Sequence, residues 1–212
     1  NLGGIANLTL IPPRCGDESE AAVLGWDCGP ANSLIDLAVD HFSAGTQSID
    51  HDGAMAAGGS CQEQLVARWL KECYFHTAPP KSTGREHFGR DDLRRRLEEM
   101  KGICPSDAVA TLTGFTAAVV AQDLDQLFSR QGIRPIELLV AGGGSHNPVL
   151  VSELQRRCTG CSVGLSDRHG IPADAREALV FALLAWWHEC GHPGNAPAVT
   201  CLLYTSDAAD DP

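Results

Sequence analysis

Val140-Ala141-Gly142-Gly143-Gly144-Ser145-His146-Asn147-Pro148 joins an apolar run to an amphipathic one. The residues from Pro135 to Ala141 predict a β-strand, and the three glycines then turn the chain. Asn147 is a suitable N-cap and Pro148 a suitable first-turn residue for a helix that runs through Arg157. Strand, glycine turn and helix form the unit on which nucleotide-binding α/β folds are built.

Two further turns have the same character: Asn1-Leu2-Gly3-Gly4-Ile5-Ala6-Asn7 and Gly25-Trp26-Asp27-Cys28-Gly29-Pro30-Ala31-Asn32. Glycines without a Cβ let backbone N–H groups approach a bulky anion, and a helix start carries partial positive charge. Three such turns in one chain suggest an ATP-dependent enzyme. Asp27 is the candidate reacting group, although an aspartate before a Gly-Pro turn can also serve only to cap backbone N–H groups.

The remaining apolar runs predict alternating strands and helices, which favours an α/β fold. Residues 7–11 and 23–26 indicate the two strands of a hairpin, and Asn32 is predicted to cap the next helix. Asp50–Gly53 is predicted to be a loop, and Ser162–Leu165 a short strand. Further helices are predicted over Cys61–Phe75, over Asp91–Met100 on the surface, over Asp107–Arg130 in the interior, and over Pro172–Glu189.

The composition argues against nucleic-acid and membrane partners. The 212 residues are 43% hydrophobic and carry a formal net charge of −11 with no basic cluster, so neither nucleic acid nor an anionic membrane is expected to bind. The longest apolar run, Ala178–Trp187, is shorter than the roughly 20 residues that span a bilayer. Nine cysteines are irregularly spaced, which favours reduced thiols in a cytoplasmic protein over a disulfide framework.

Two motifs of metal-binding type each have a simpler interpretation. His188-Glu189-Cys190-Gly191-His192 has the HExxH spacing of a zinc hydrolase, but Gly191 and the proline that follows His192 predict a fraying helix end. Cys158-Thr159-Gly160-Cys161 lacks a second cysteine pair, so we expect a solvent-facing turn between a helix and a strand. No metal site is predicted, and a zinc hydrolase remains a minor alternative.

Taken in order, the motifs resemble the anhydro-N-acetylmuramic acid kinase family. The resemblance covers residues 1–200 and rests on Asn1–Asn7, Asp27–Asn32, Asp50–Gly53, Lys81–Glu86, Gly142–Pro148, Gly170–Ala178 and Pro193–Thr200. It implies an actin-like ATPase fold, of the sugar kinase, Hsp70 and actin type, in which two α/β domains close over ATP. This chain would be mainly the C-terminal domain of that fold.

The resemblance also implies an activity and the residues that serve it. Members open 1,6-anhydro-N-acetylmuramic acid with water and phosphorylate O6, which gives N-acetylmuramic acid 6-phosphate for peptidoglycan recycling. Asp27 aligns with the catalytic base, and ATP with Mg²⁺, the amino sugar and a second subunit of a homodimer are the implied partners. The implied nucleotide-binding residues are Gly3, Gly4, Gly142, Gly143, Gly144 and Asn147. The implied substrate-binding residues are Asn7, Gly29, Asn32 and Glu177.

By the same resemblance, residues 1–200 are expected to be the C-terminal portion of a longer kinase. The N-terminal part would supply a phosphate loop and part of the sugar pocket, so we expect the chain alone to be inactive. Residues 201–212 resemble a translated sequencing adapter and are expected to be a non-native tail. The alternative from another class is a non-catalytic sensor or regulator of the same fold, which would bind ATP without sugar turnover.

Overall fold

The computed structural model describes residues 1–12 and 23–194, without the side chains of Asp174 and Glu177. Residues 201–212, the expected tail, lie outside these ranges. The strands within them are β1 (Ile5–Leu10), β2 (Leu24–Pro30), β3 (Glu137–Val140) and β4 (Ser162–Leu165). The helices are α1 (Asn32–Phe42), α2 (Ala54–Ala57), α3 (Glu63–Trp69), α4 (Arg90–Glu99), α5 (Pro105–Gln131), α6 (Pro148–Arg157) and α7 (Arg176–Glu189).

The strands form two separate pairs, and the predicted hairpin and the predicted strand, glycine turn and helix are confirmed. β1 and β2 are the antiparallel hairpin, while β3 and β4 run parallel with α6 in the connection between them. Parallel neighbours need such a crossover, and the glycine turn after β3 leads into it. The described chain is therefore a mixed α/β structure with two small sheets.

Helix α5 is the centre of the core. Its 27 residues run from Pro105 to Gln131, and the C-cap residue Gly132 adopts φ +70°. Every residue of the segment 108–121 is buried, because α1, α2, α3, α6 and β2 all pack against it. A helix enclosed in this way is apolar around its circumference, and the sequence predicts both its length and its burial. None of the described helices is long and apolar enough to cross a bilayer.

The helix predicted over Cys61–Phe75 is wrong in its second half. α3 ends at Trp69, and a 3-10 turn follows at Cys73–His76. This turn brings Phe75 into the core, where its ring stacks on Phe88 with 5.7 Å between centroids and meets Phe115 edge-on at 5.4 Å. Aromatic packing outweighs the helical periodicity of the segment.

Two smaller differences from the sequence prediction concern the segment before α2 and the helix α4. The predicted loop at Asp50–Gly53 contains a 3-10 turn that leads into α2. α4 is a surface helix only on one side, since Arg96 is fully buried over the rings of Trp69 and Phe115. Arg96 Nε donates to Asp92 Oδ2 at 2.9 Å, so the buried guanidinium is charge-compensated.

Helix α7 leaves large apolar side chains uncovered by the described residues. Phe181 is 70% exposed and Trp186 is 59% exposed. Three more apolar side chains of the same helix, Leu179, Val180 and Leu183, are also exposed. These positions fall on different sides of the helix, so α7 presents an apolar surface of the kind that marks an interaction site.

We expect the 212-residue chain to bind a hydrophobic fluorescent dye through α7. The variant Phe181→Ser/Trp186→Ser should lose at least half of the dye fluorescence without a lower melting temperature, because neither side chain is packed in the core. Ile49→Ser, which removes an exposed but isolated apolar side chain, is the matched control. Equal fluorescence from the parent chain and the double variant would contradict this prediction.

Candidate functional site

The three glycine-rich turns meet around Leu2. Leu2 N donates to Ala141 O at 2.7 Å, and Leu2 O accepts a hydrogen bond from Gly144 N at 2.8 Å. The same oxygen accepts a second hydrogen bond from Asn32 Nδ2 at 3.1 Å. The first turn is therefore bonded to both of the others. We call Leu2–Gly4, Pro30–Asn32 and Ala141–Gly144 the turn cluster.

The start of α1 is paired with the first turn. Gly4 O accepts from Ala31 N and Ser33 N, both at 3.0 Å, and Gly3 O accepts from Asn32 N at 3.0 Å. Ala31, not Asn32, occupies the N-cap position, so the predicted capping role of Asn32 is wrong. Backbone carbonyl groups cap the helix instead. Because they occupy the first N–H groups of α1, a phosphate at the turn cluster would have to bind N–H groups of the loops.

The start of α6 is capped by Asn147, as the sequence predicts. Asn147 is buried, and its Oδ1 accepts from Val149 N at 3.0 Å and Leu150 N at 3.1 Å. These two hydrogen bonds satisfy Asn147 Oδ1 within the protein, so its position does not require a ligand. Contact between Asn147 and a nucleotide stays a prediction.

The three glycines after β3 have different environments. A Cβ on Gly142, which has φ +88°, would collide with Asn1 Oδ1, and a Cβ on Gly144 would lie 2.7 Å from Leu2 Cβ. A Cβ on Gly143 would meet only Asn32 Nδ2, at 3.8 Å. Gly142 and Gly144 are thus required by the packing of the turn cluster. The backbone at Gly143 is the part of this turn that a bulky ligand can approach.

Asp27 lies opposite Asn7 in the hairpin, beside a β-bulge. The pairing passes from Asn7 and Asp27 to Ala6 and Gly29, so Cys28 is the extra residue. Bulges redirect side chains and are frequent next to active sites. Asn7 and Asp27, predicted as substrate ligand and base, share a face of the hairpin. Both line a cavity of about 430 Å³ whose rim includes Ser82.

Asp27 is hydrogen-bonded to Tyr74 and to the segment 81–83, both distant from it in the sequence. Its Oδ2 accepts from Ser82 Oγ at 2.9 Å and from Thr83 N at 3.0 Å. Its backbone N donates to Lys81 O at 2.9 Å, and its O accepts from Tyr74 Oη at 2.8 Å. Burial, together with the nearby Asp27 charge, raises the pKa of Tyr74, which keeps the hydroxyl a donor. The carboxylate therefore caps this distant segment through Oδ2.

A buried ion pair lies behind Asp27. Lys81 Nζ is 2.9 Å from Asp123 Oδ1, and each side chain is only 3% exposed. Trp26 Nε1 donates to the other carboxylate oxygen at 2.9 Å. Burial raises the pKa of Asp123, while the Lys81 ammonium acts in the opposite direction. Burial also raises the pKa of the Cys28 thiol well above its ordinary value, with the Asp123 charge adding to the rise.

Of the predicted substrate residues whose side chains the structure describes, Asn7 lines this cavity, whereas Gly29 and Asn32 do not. The Nδ2 group of Asn32 is instead bonded to Leu2 O in the turn cluster. Gly29 is buried, and a Cβ there would lie 2.8 Å from the ring of Phe75. Core packing therefore explains this glycine. The backbone of Glu177 belongs to α7, but its side chain is outside the described part of the structure. Their substrate contacts stay predictions.

The two motifs of metal-binding type lie at helix ends. α7 ends at Glu189 and Gly191 has φ +68°, so His192 does not continue the helix that carries His188. Among the described residues, no group of His, Cys, Asp and Glu side chains is arranged to hold a metal ion. Cys158 follows α6 and Cys161 precedes β4, as predicted, but Cys158 is buried. The prediction of a solvent-facing turn is therefore wrong for that thiol.

A second cavity of about 420 Å³ adjoins α1 and carries charges of both signs. Asp36, Asp40, Arg85 and Arg90 contribute to its lining. A Cβ on Gly4 would lie 2.9 Å from Arg85 Nε, so the cavity borders the turn cluster. Burial raises the pKa of Asp36 from 3.8 to about 6, against the opposing effect of Arg85.

The sequence predicts Asp27 as a functional residue but does not predict the residues that hold it. Lys81 and Ser82 enter the sequence analysis only as part of the motif Lys81–Glu86, with no role assigned to them. One signal was available: Asp123 is an acid inside a predicted buried helix, and a buried carboxylate requires a cation or several donors. The sequence does not reveal which cation this is.

Comparisons with known proteins give one consistent result. A family model for anhydro-N-acetylmuramic acid kinase matches residues 1–206. The chain is 68% identical over 200 residues to the anhydro-N-acetylmuramic acid kinase of Parasynechococcus marenigrum (strain WH8102). Identity is 64% to the kinase of that name from Synechococcus sp. (strain CC9605) and 61% to that from Prochlorococcus marinus (strain MIT 9303). Each match covers 94% of this chain and 53% of the relative, so the chain spans about half the length of these relatives.

We expect the buried ion pair to be strongly coupled. Lys81→Met should lower the free energy of unfolding by about 3–5 kcal/mol, because it leaves the Asp123 carboxylate buried without a cation. Adding Asp123→Asn should recover at least half of the loss, since the amide is neutral and still accepts from Trp26. Urea unfolding of the parent, both single variants and the double variant measures the coupling.

Arg94→Met is the control for this pair. Arg94 and Asp91 form an ion pair whose side chains are 74% and 93% exposed, and its loss should cost less than about 1 kcal/mol. Strictly additive effects of Lys81→Met and Asp123→Asn would show that the two side chains do not interact.

Proposed function

Since the chain belongs to the anhydro-N-acetylmuramic acid kinase family, we propose that it forms part of an ATP-dependent kinase acting on 1,6-anhydro-N-acetylmuramic acid. The kinase opens the anhydro bridge with water and phosphorylates O6, which yields N-acetylmuramic acid 6-phosphate and ADP. Recycling of cell-wall sugars is the proposed use of this product. The observation that carries the proposal is the Asp27 carboxylate at the rim of a cavity, where, among the described residues, hydrogen bonds reach it through Oδ2 and leave Oδ1 open.

Asp27 acts in this proposal as the general base. It removes a proton from the water whose oxygen bonds to the anomeric carbon of the sugar. The bond from that carbon to O6 breaks, and O6 takes the electron pair and attacks the γ-phosphorus of ATP. The β–γ bridging oxygen leaves with ADP. Asn7, on the same face of the hairpin, is proposed to bind the sugar, with Gly29, Asn32 and Glu177 as further substrate residues.

The turn cluster is proposed as the nucleotide side of the site. The open approach to the Gly143 backbone supports this, because a phosphate or ribose needs space that a side chain would fill. Gly3 and Gly4 are proposed to contribute their backbone, while Gly142, Gly144 and Asn147 keep the loop in shape. Mg²⁺, when bound with ATP, neutralises charge on the phosphates. Its ligands in such sites are largely phosphate and water oxygens.

We also propose the actin-like arrangement and a homodimer for the whole kinase. The strand, glycine turn and helix at residues 137–157 and the antiparallel hairpin are consistent with such a fold. The sensor alternative is less well supported, since the relatives compared above are named as kinases. Sugar-dependent release of ADP separates the two functions.

We expect Asp27→Asn to abolish most turnover without loss of the fold. In a protein of the full length of its relatives, kcat should fall by about 10²–10⁴-fold with little change in KM, since the amide cannot accept the proton. The measurement is ADP release with the anhydro sugar. Asp125→Asn, which alters an exposed carboxylate on α5, is the control and should retain activity. A near-normal kcat with a lowered melting temperature would identify Asp27 as a turn cap only.

Gly143 and Gly144 are expected to respond differently to substitution. Gly143→Val should weaken binding of a non-hydrolysable ATP analogue by at least tenfold while leaving the melting temperature nearly unchanged, because its side chain enters space proposed for nucleotide. Gly144→Ala should instead destabilise the protein by about 1–3 kcal/mol, since its Cβ meets Leu2. Titration calorimetry and thermal unfolding measure both effects. Unchanged nucleotide affinity in Gly143→Val would overturn the assignment of this loop.

A further inference from the structure

We propose that Ser82 is a positioning residue for Asp27. By hydrogen-bonding to Oδ2, Ser82 leaves Oδ1 as the carboxylate oxygen that accepts the proton. The inference rests on the proposed function of Asp27 as general base. It adds a residue and an atom to that function: a hydroxyl outside the hairpin that acts only through the base.

The hydrogen bonds at Asp27 are distributed unequally between its two oxygens. Ser82 Oγ at 2.9 Å and Thr83 N at 3.0 Å both donate to Oδ2. Within residues 1–12 and 23–194, Oδ1 receives no hydrogen bond from another side chain or from the backbone. Two donors on one oxygen fix the rotation of the carboxylate. The other oxygen keeps its lone pairs available for water.

Ser82 is itself exposed, so its position depends on the residues at either side. On one side, Lys81 is anchored by its buried contact with Asp123 and by the hydrogen bond from Asp27 N to Lys81 O. On the other side, Gly84 O accepts from His87 N at 3.1 Å and from Phe88 N at 3.0 Å. The hydroxyl lies between two fixed points, which reduces the entropy lost when it orients the base.

The arrangement differs from ordinary turn capping in one respect. A cap needs only a backbone N–H and a carboxylate, and Thr83 N already supplies that contact. The Ser82 hydroxyl is a second donor to an oxygen that is already occupied. Its additional effect is to orient the carboxylate, and orientation matters for proton transfer because the accepting oxygen must lie within hydrogen-bond reach of the water.

The test is a double-mutant cycle of Ser82 and Asp27 in a protein of the full length of its relatives. Ser82→Ala should lower kcat about tenfold and change KM less than twofold, because orientation of the base affects the transition state and not sugar binding. Ser82→Thr, which retains the hydroxyl, should recover at least half of the lost activity. In the Asp27→Asn background, Ser82→Ala should change kcat less than twofold, since no base remains to be oriented.

Ser129→Ala is the matched control, because it removes an exposed serine hydroxyl that donates to a helix carbonyl of α5. Its kcat should stay within twofold of the parent. An unchanged kcat in Ser82→Ala, or an equal loss with and without Asp27, overturns the positioning role, as does an effect confined to KM. Failure of the proposed function itself gives a different result: Asp27→Asn then retains turnover, whatever Ser82→Ala does.

Discussion

A buried carboxylate on the central helix determines where the candidate base lies. Asp123 is within the packed part of α5, and a charge placed there without compensation would cost several kcal/mol. The compensation comes from two other elements, Lys81 from a loop and Trp26 from the hairpin. Asp27 directly follows Trp26, and Ser82 directly follows Lys81. Asp27, the candidate base, and its hydroxyl donor Ser82 therefore take their relative positions from an ion pair to which neither belongs.

The turn cluster is held together differently, by hydrogen bonds between backbone N–H and C=O groups. The carbonyl oxygens of Gly3 and Gly4 occupy the first N–H groups of α1, and Leu2 is bonded to the loop after β3. This pairing fixes the turns rigidly, but it also uses the donors that a helix start offers to an anion. Among the described residues, a Cβ at Gly143 would meet only Asn32 Nδ2, at 3.8 Å, and this is the place proposed for the approach of a nucleotide.

Asp27 and helix α7 differ in how far the described residues surround them. The hydrogen bonds to the Asp27 carboxylate and backbone come from Tyr74 and from the segment 81–83, which lie within the described residues. α7 shows the opposite situation. Its apolar side chains, including Phe181 and Trp186, are not covered by the described structure. Relatives about twice as long share this sequence, and the proposed activity is that of the whole kinase.

Elements with local signals could be predicted from the amino-acid sequence. The strand, glycine turn and helix at Val140–Pro148, the Asn147 cap, the hairpin and the long buried helix follow from turn chemistry and apolar periodicity, and the ordered motifs established the family. Tertiary structure alone decided which residues meet. Phe75 lies outside a helix because it packs against aromatic rings from other segments of the chain. Asn32 is not the N-cap because the carbonyl groups of Gly3 and Gly4 accept the hydrogen bonds from the first N–H groups of α1. Ser82 and Lys81 became part of the site through partners 55 and 42 residues away, and the energy of a buried charge or a hydrogen bond depends on distance in space, which local sequence does not encode.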